Sequence, residues 1–263
     1  MFSMAENTIC RYTQIDPMPT SWYTAPVTRI ESASPRVRRI WLELPADAPV
    51  FDFQAGQFLT MDLPIGEKRL QRWRSYSIAS RPQPGQPIEL CIVHMPGGLA
   101  TEYLFHQVEV GTLIKFKGPD GAFVLPQRID QDLVMICTGT GVAPFRSMLF
   151  DLDHRGWPDR DIHLIYGSRT REDLLYADEF LDLAARQPRF RYTATLSRIE
   201  NDPSEPWMMK GYVHQAYKEE YAHVRPDLKF LLCGWTNMID SAVENLLIEM
   251  GYARDQVVYE LYG

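Results

Sequence analysis

The sequence has no apolar run approaching the roughly 18 residues that would suggest a membrane span. It also has no basic-then-apolar N-terminal layout of the kind that marks a secretory signal. Both absences point to a cytoplasmic protein. Cysteine is scarce: Cys10, Cys91, Cys137 and Cys233 are the whole complement. They are too scattered to build a zinc knuckle or to ligate an iron–sulfur cluster, which needs clustered thiolates. If iron–sulfur chemistry is involved, a partner supplies it. No metal site is proposed from the six histidines. Positive charge is in deficit, 27 basic against 34 acidic residues for a net of −7, which argues against a nucleic-acid binder and against a polybasic membrane surface. Internal repeats and low-complexity tracts are absent as well.

What is present divides in two. At 263 residues the chain exceeds the usual size of one compact domain, and a 45% hydrophobic content is enough to bury real cores. Residues 1–20 show no clear period and contain Pro17 and Pro19, so they read as an extension of unassigned role. Over 21–128, β-rich stretches at 24–31, 37–44, 57–63, 74–79, 88–94 and 113–118 are separated by Pro and Gly signals. This spacing predicts an antiparallel barrel or sandwich, with one helix starting near Leu99. Over 129–263 the pattern changes: apolar strands at 133–137, 162–166 and 230–233 alternate with helical periods at 144–153, 176–186 and 238–250. That alternation predicts a parallel α/β sheet of nucleotide-binding type.

Two motifs carry chemistry on their own residues. After the strand ending at Cys137 comes Thr138-Gly139-Thr140-Gly141-Val142-Ala143-Pro144 and then a helix. Glycines there let backbone approach a pyrophosphate, the helix start offers unpaired N–H groups and a positive dipole end, and Pro144 suits the first helical turn. A tight strand-to-helix turn without a ligand is the alternative. Earlier, Arg74-Ser75-Tyr76-Ser77 sits in a strand, whose alternation puts Arg74 and Tyr76 on one face. A guanidinium beside an aromatic ring suits a phosphorylated aromatic ligand; an edge strand with a solvated Arg and a half-buried Tyr is the alternative.

In this order, the two motifs resemble those of the ferredoxin-NADP reductase superfamily, and the resemblance runs from about Trp22 to Gly263. It implies a flavin-binding antiparallel β-barrel followed by an α/β nucleotide-binding domain, with FAD and NADP as cofactors. It further implies Arg74 on the FAD pyrophosphate, Tyr76 packed on the isoalloxazine and Ser77 directed toward flavin N5. Gly98-Leu99-Ala100-Thr101 matches the family's Gly-x-x-Ser/Thr helix start, which implies a pyrophosphate site and favours FAD over FMN. Thr138, Gly139, Thr140, Gly141 and Pro144 become the turn beneath the pyridine nucleotide. Gly118-Pro119-Asp120-Gly121 resembles the turn closing the barrel.

Selection of NADPH is implied by Ser197-Arg198 and Lys210-x-Tyr212, which match the family's 2′-phosphate and adenine groups; Arg169 or Arg171 is an alternative phosphate donor. Cys233-Gly234 matches the segment beside the nicotinamide. The terminal Tyr259-Glu260-Leu261-Tyr262-Gly263 implies Tyr262 stacked over the flavin, with Glu260 assisting near N5. Plant-type members stop at the aromatic, so Gly263 is a departure that bears on the subfamily.

The implied activity is hydride transfer between nicotinamide C4 and flavin N5, followed by single-electron exchange with a ferredoxin or flavodoxin. A monomer or weak dimer is expected. The run Lys68, Arg69 and Arg72, together with Arg36, Arg38 and Arg39, is a candidate docking patch for an acidic carrier. Two alternatives stand beside this reading: an NAD(P)H-dependent reductase component of an oxygenase system, and a non-catalytic flavin- or nucleotide-binding subunit.

Overall fold

The computed structural model describes residues 21–262; the expected N-terminal extension and Gly263 lie outside them. Six strands form the first sheet: β1 (Trp22–Ser34), β2 (Val37–Leu42), β3 (Phe58–Asp62), β4 (Trp73–Ser77), β5 (Ile88–Val93) and β6 (Leu113–Asp120). They are antiparallel neighbours in the order β4-β3-β6-β1-β2-β5. A bridge between Ile78 and Leu90 joins the two ends of that order and closes the barrel. Alternation explains the inside: Tyr23, Ala25 and Val27 of β1 point inward and are buried, while Trp22 and Thr24 face out. Leu59, Met61, Leu90 and Phe116 fill the interior, and Ala100 and Leu104 of α2 (Leu99–His106) pack onto it. A one-turn helix α1 (Arg69–Arg72) leads directly into β4.

The second sheet comprises β7 (Asp132–Thr138), β8 (Ile162–Ser168), β9 (Phe190–Leu196), β10 (Met208–Lys210), β11 (Leu228–Trp235) and β12 (Val257–Tyr262). Its order is β10-β9-β8-β7-β11-β12, with parallel pairing throughout. Helices α3 (Val142–Arg155), α4 (Ala177–Arg186), α5 (Val213–Glu220) and α6 (Thr236–Glu244) cover it. Both faces are apolar, as a doubly covered parallel sheet requires. Leu133, Met135 and Cys137 join the core under α3 and α4, whereas Val134 and Ile136 join the core under α5 and α6. The order reverses between β7 and β11, and crevices beyond the carboxyl ends of such strands are where ligands bind in this architecture.

The barrel and the α/β sheet therefore match the two-part architecture read from the sequence. Strands β9, β10 and β12 and helices α1 and α5 had not been assigned from it. β10 is only three residues long, and β12 lies at a sheet edge with five of its six residues outside the buried core, which weakens the apolar signal. The helix expected to reach 250 is α-helical to Glu244 and ends in a π-type turn, Asn245–Glu249.

A buried ionic cluster fixes how the two halves meet. Glu89 of β5 is only 3% exposed. Its carboxylate accepts from Arg39 Nε at 2.6 Å, from Arg146 Nη1 at 3.0 Å and from Tyr176 Oη at 2.8 Å. Arg146, on α3, also donates to the Ala79 carbonyl at 2.8 Å and to Glu179 at 2.7 Å. Ser147 Oγ donates to the Ser80 carbonyl at 2.7 Å. Burial opposes the charge on Arg39, but Glu89, Tyr176 and Glu179 outweigh it and hold the guanidinium more firmly protonated than usual. The basic residues suggested as one docking patch are thus divided. Arg39 is turned into this cluster, Arg38 lies over Phe105 at 4.9 Å, and Arg72 pairs with Asp62 at 2.8 Å. Among the described residues no helix is long and apolar enough to cross a membrane.

Candidate active site

The C-terminal ends of β7, β11 and β12 face the end of β4. Cys233 sits in register with Cys137 on one side and Glu260 on the other, so the three side chains share a face of the parallel sheet. Two residues further along β12, on the same face, is Tyr262, in register with Trp235. From the barrel, Ser77 Oγ donates to Glu260 Oε2 at 3.3 Å across 183 positions of sequence. Ser77, Cys233, Glu260 and Tyr262 are therefore brought to one junction between the domains.

The electrostatics of that junction follow from its dryness. Burial raises the Glu260 carboxyl to about 7, against a smaller opposing effect of the Ser77 hydrogen bond. Burial and the nearby Glu260 charge push the Cys233 thiol well above its usual value, against a smaller opposing effect of the Tyr262 hydroxyl. The thiol is thus neutral at physiological pH, a small polarizable surface rather than a nucleophile. Tyr262 packs against the core beside these groups. Its hydroxyl is buried and makes no hydrogen bond of good geometry, although Ser77 and Cys233 lie near enough to bear on its titration.

On the barrel side, Arg74 and Tyr76 share the strand face the alternation predicts. β4 pairs with β3 so that Tyr76 opposes Leu59 and Arg74 opposes Met61. Burial raises the Tyr76 hydroxyl far above its usual range, with Arg74 opposing the shift. The Arg74 guanidinium donates to the Leu70 and Trp73 carbonyls at 3.0 and 2.7 Å. Gly98 is the N-cap of α2, and no side chain caps that helix start, which leaves the N–H groups of Leu99, Ala100 and Thr101 directed outward from the first turn. Thr101 Oγ1 is engaged with the Met95 backbone, accepting from its N–H and lying 3.0 Å from its carbonyl.

On the nucleotide side, Gly139–Gly141 forms a short 3-10 turn leading into α3, and Pro144 is buried in the first turn of that helix. Gly141 has to be glycine: a Cβ there would stand 2.4 Å from the Cys233 carbonyl oxygen. Gly234, at φ +154°, likewise leaves room for Thr138, whose Oγ1 would lie 2.6 Å from an added Cβ. A groove of about 690 Å³ runs from this turn along the strand ends. Thr138, Gly139, Thr140, Ser197 and Tyr212 line it, as do Thr195 and Trp235, to which no role had been given, and Arg36, which had been assigned to the docking patch. Trp235 directly follows the Cys-Gly pair and so was within reach of the motif. Thr195 is a buried β-branched strand residue with no sequence signal.

The hydroxyls of Thr138 and Thr195 are buried without partners. Orphaned polar atoms in a groove mark groups that a polar ligand would satisfy. At the far rim, Tyr212 is stacked on His214 with centroids 5.4 Å apart. Arg198 is exposed beside Ser197, and Lys210 Nζ donates to the Glu200 carbonyl at 2.7 Å. An uncapped helix start on the barrel, a glycine turn at a strand-order reversal and a largely apolar groove with a few placed hydroxyls between them fit a flavin and a pyridine nucleotide meeting at the junction. That combination defines a flavin- and nicotinamide-dependent oxidoreductase.

Comparison with known proteins agrees. Residues 24–125 match the oxidoreductase FAD-binding domain and residues 135–244 the oxidoreductase NAD-binding domain. The chain is 32% identical over 245 residues to the phenol 2-monooxygenase reductase component of a Pseudomonas species, covering 93% of this chain and 67% of that protein. It is 33% identical over 246 residues to ferredoxin–NADP reductase B of Sorangium cellulosum, covering 91% and 97%. Among solved structures, a ferredoxin NADP+ reductase from Neisseria gonorrhoeae with bound FAD and NADP superposes with a TM-score of 0.76 at 25% identity, covering 91% of this chain and 98% of that one. The chain spans about two thirds of the phenol 2-monooxygenase reductase component and of the phenol hydroxylase P5 protein of Acinetobacter pittii, 67% and 64% of their lengths. The protein belongs to the ferredoxin-NADP reductase superfamily of flavoprotein oxidoreductases.

Proposed function

We propose that this protein is a cytoplasmic ferredoxin-NADP reductase, acting as a monomer or weak dimer, that moves electrons between NADP(H) and a ferredoxin or flavodoxin. The observation that carries the reading is the Ser77–Glu260 contact, which joins the two domains where Cys233 and Tyr262 also converge. When bound, FAD and the nicotinamide supply the hydride chemistry and the conversion from electron pairs to single electrons. In this reading residues 21–128 hold FAD and residues 129–263 hold NADP, with 1–20 as an extension.

The protein's own part is alignment and charge. Arg74 and the start of α2, where Gly98 is the cap and the N–H groups of Leu99, Ala100 and Thr101 are open, would neutralise and fix the flavin pyrophosphate, while Tyr76 would pack on the ring. Thr138, Gly139, Thr140, Gly141 and Pro144 let the second pyrophosphate approach the helix start, and the unpartnered hydroxyls of Thr138 and Thr195 take polar groups of that nucleotide. Cys233 supplies a neutral wall that keeps water from the reacting face. Ser77 and Glu260 hold or relay a proton at the edge of the flavin, the carboxyl being tuned near neutrality for that task. Tyr262 closes the face until nicotinamide enters. Ser197, Arg198, Lys210 and Tyr212 select the phosphorylated adenosine end.

A second reading, a reductase component of an oxygenase system, is favoured by the monooxygenase relative at 32% identity. Donor preference separates the two. Purified, FAD-reconstituted protein mixed anaerobically with NADPH should lose its flavin absorbance much faster than with NADH, and Arg198→Ala should narrow that gap. Equal or faster bleaching by NADH would move the assignment to the oxygenase system, and failure to retain flavin at all would sink both.

A further inference from the structure

We propose that His94, Glu102 and His106 form a site for a divalent transition metal of the zinc class, on the outer surface of the barrel and apart from the proposed hydride path. His94 follows the last residue of β5; Glu102 and His106 lie four apart on α2, one turn above each other on a single helix face. Their ligand atoms all lie within 4.8 Å of one another. His94 Nε2 is 3.1 Å from Glu102 Oε1, and His106 Nε2 is 3.2 Å from Glu102 Oε2.

These spacings match what a metal needs. Zinc takes imidazole nitrogen and carboxylate oxygen at about 2.0–2.2 Å in a tetrahedron, which sets the ligand-to-ligand edge at roughly 3.3 Å. The edge from His94 to Glu102 Oε1 already has that length; His106 reaches the other carboxylate oxygen, and rotation of its side chain, 63% exposed, brings its nitrogen into the same set. The donor set of two imidazoles and one carboxylate leaves a fourth position for water, as three-ligand zinc sites do.

The support behind the ligands is also built. The Gly97 N–H donates to Glu102 Oε1 at 3.0 Å. The His94 ring rests against Phe105, with centroids 4.9 Å apart, which limits its rotamers. No spacing in the sequence announces the site, because His94 comes from the strand and its partners from the helix.

A bound metal would staple the end of β5 to α2 across the turn through Gly97 and Gly98. If that turn holds the FAD pyrophosphate, as proposed above, the metal also slows flavin loss; the metal site itself does not depend on that reading. The test is titration of untagged, FAD-loaded protein with Zn2+ against a chromophoric chelator, with Co2+ as a spectroscopic probe of coordination. One equivalent should bind, Co2+ should give the intense visible bands of a four-coordinate site, and His94→Gln and His106→Gln should each weaken binding about tenfold or more. The thermal midpoint should rise with Zn2+ in the parent and not in either variant. Absence of saturable binding below about 1 mM, or equal affinity in the parent and both variants, overturns the proposal. Because flavin content is read separately from its absorbance, failure of the metal site and failure of the flavin assignment are distinguishable.

Discussion

Replacing Glu260 with Gln should change how stability depends on pH, in a direction set by the dryness of the junction. Burial raises this carboxyl from 4.5 to about 7, partly opposed by the Ser77 hydrogen bond. At about 1.36 kcal/mol per unit the shift corresponds to ~3 kcal/mol, reduced to about 2 because the group keeps some contact with solvent. The folded state holds the proton more tightly than the unfolded chain, so between pH 4.5 and about 7 unfolding releases a proton. Stability therefore declines as pH rises through that window and levels off above it. Glu260→Gln lacks the titration and keeps a neutral side chain of the same shape beside Ser77. Urea denaturation of both proteins at pH about 5 and about 8 should show the variant gaining about 2 kcal/mol relative to the parent between the two conditions. Subtraction removes every other titrating group common to both proteins. A gap between parent and variant that stays constant with pH would refute the claim that this carboxyl is buried at cost.

Three further outcomes follow from other sites. Glu89→Gln removes the charge that Arg39 and Arg146 share. It leaves two guanidinium groups buried against reduced compensation, so urea unfolding should show a loss of about 3–5 kcal/mol. Gly141→Ala forces a methyl into the Cys233 carbonyl and should cost about 1–3 kcal/mol, read as a lower unfolding midpoint, while also weakening pyridine nucleotide binding in a fluorescence titration. His163 is buried between Tyr221 and Thr193 at 2.7 and 2.9 Å. Burial, helped by Arg191, lowers its imidazole from 6.5 to about 3. As pH falls through that window the unfolded chain takes up a proton that the folded one refuses, so the parent loses stability on acidification. His163→Gln should lose less, as measured by denaturation at pH about 6.5 and about 4.

The strand-rich first half and the alternating second half were legible because periodicity records burial directly. Met135 and Ile136 point to opposite apolar faces of one parallel sheet, so the segment reads as continuously hydrophobic. The Gly141 turn was legible because a backbone that passes 2.4 Å from a would-be Cβ tolerates nothing larger. Strand β12 was less so. Only one of its two edges is paired, and its residues alternate between partial burial and solvent. Glu89 gave no signal either: a single acid inside a hydrophobic strand does not say which arginines, 50 and 57 positions away, will enclose it.

The sequence by itself determined most of the strands and helices, where a turn must be glycine, and that two domains of different architecture follow one another. These are local properties, fixed by side-chain period and by the conformations glycine and proline permit. Only the tertiary structure decided what meets what. Ser77 reaches Glu260 across 183 residues, because barrel closure and the parallel register together bring the end of β4 over the ends of β11 and β12. The same packing removes water from Glu260 and moves its titration to about 7. A pKa depends on surroundings contributed by distant parts of the chain, and no reading of Glu260 and its neighbours along the sequence contains them.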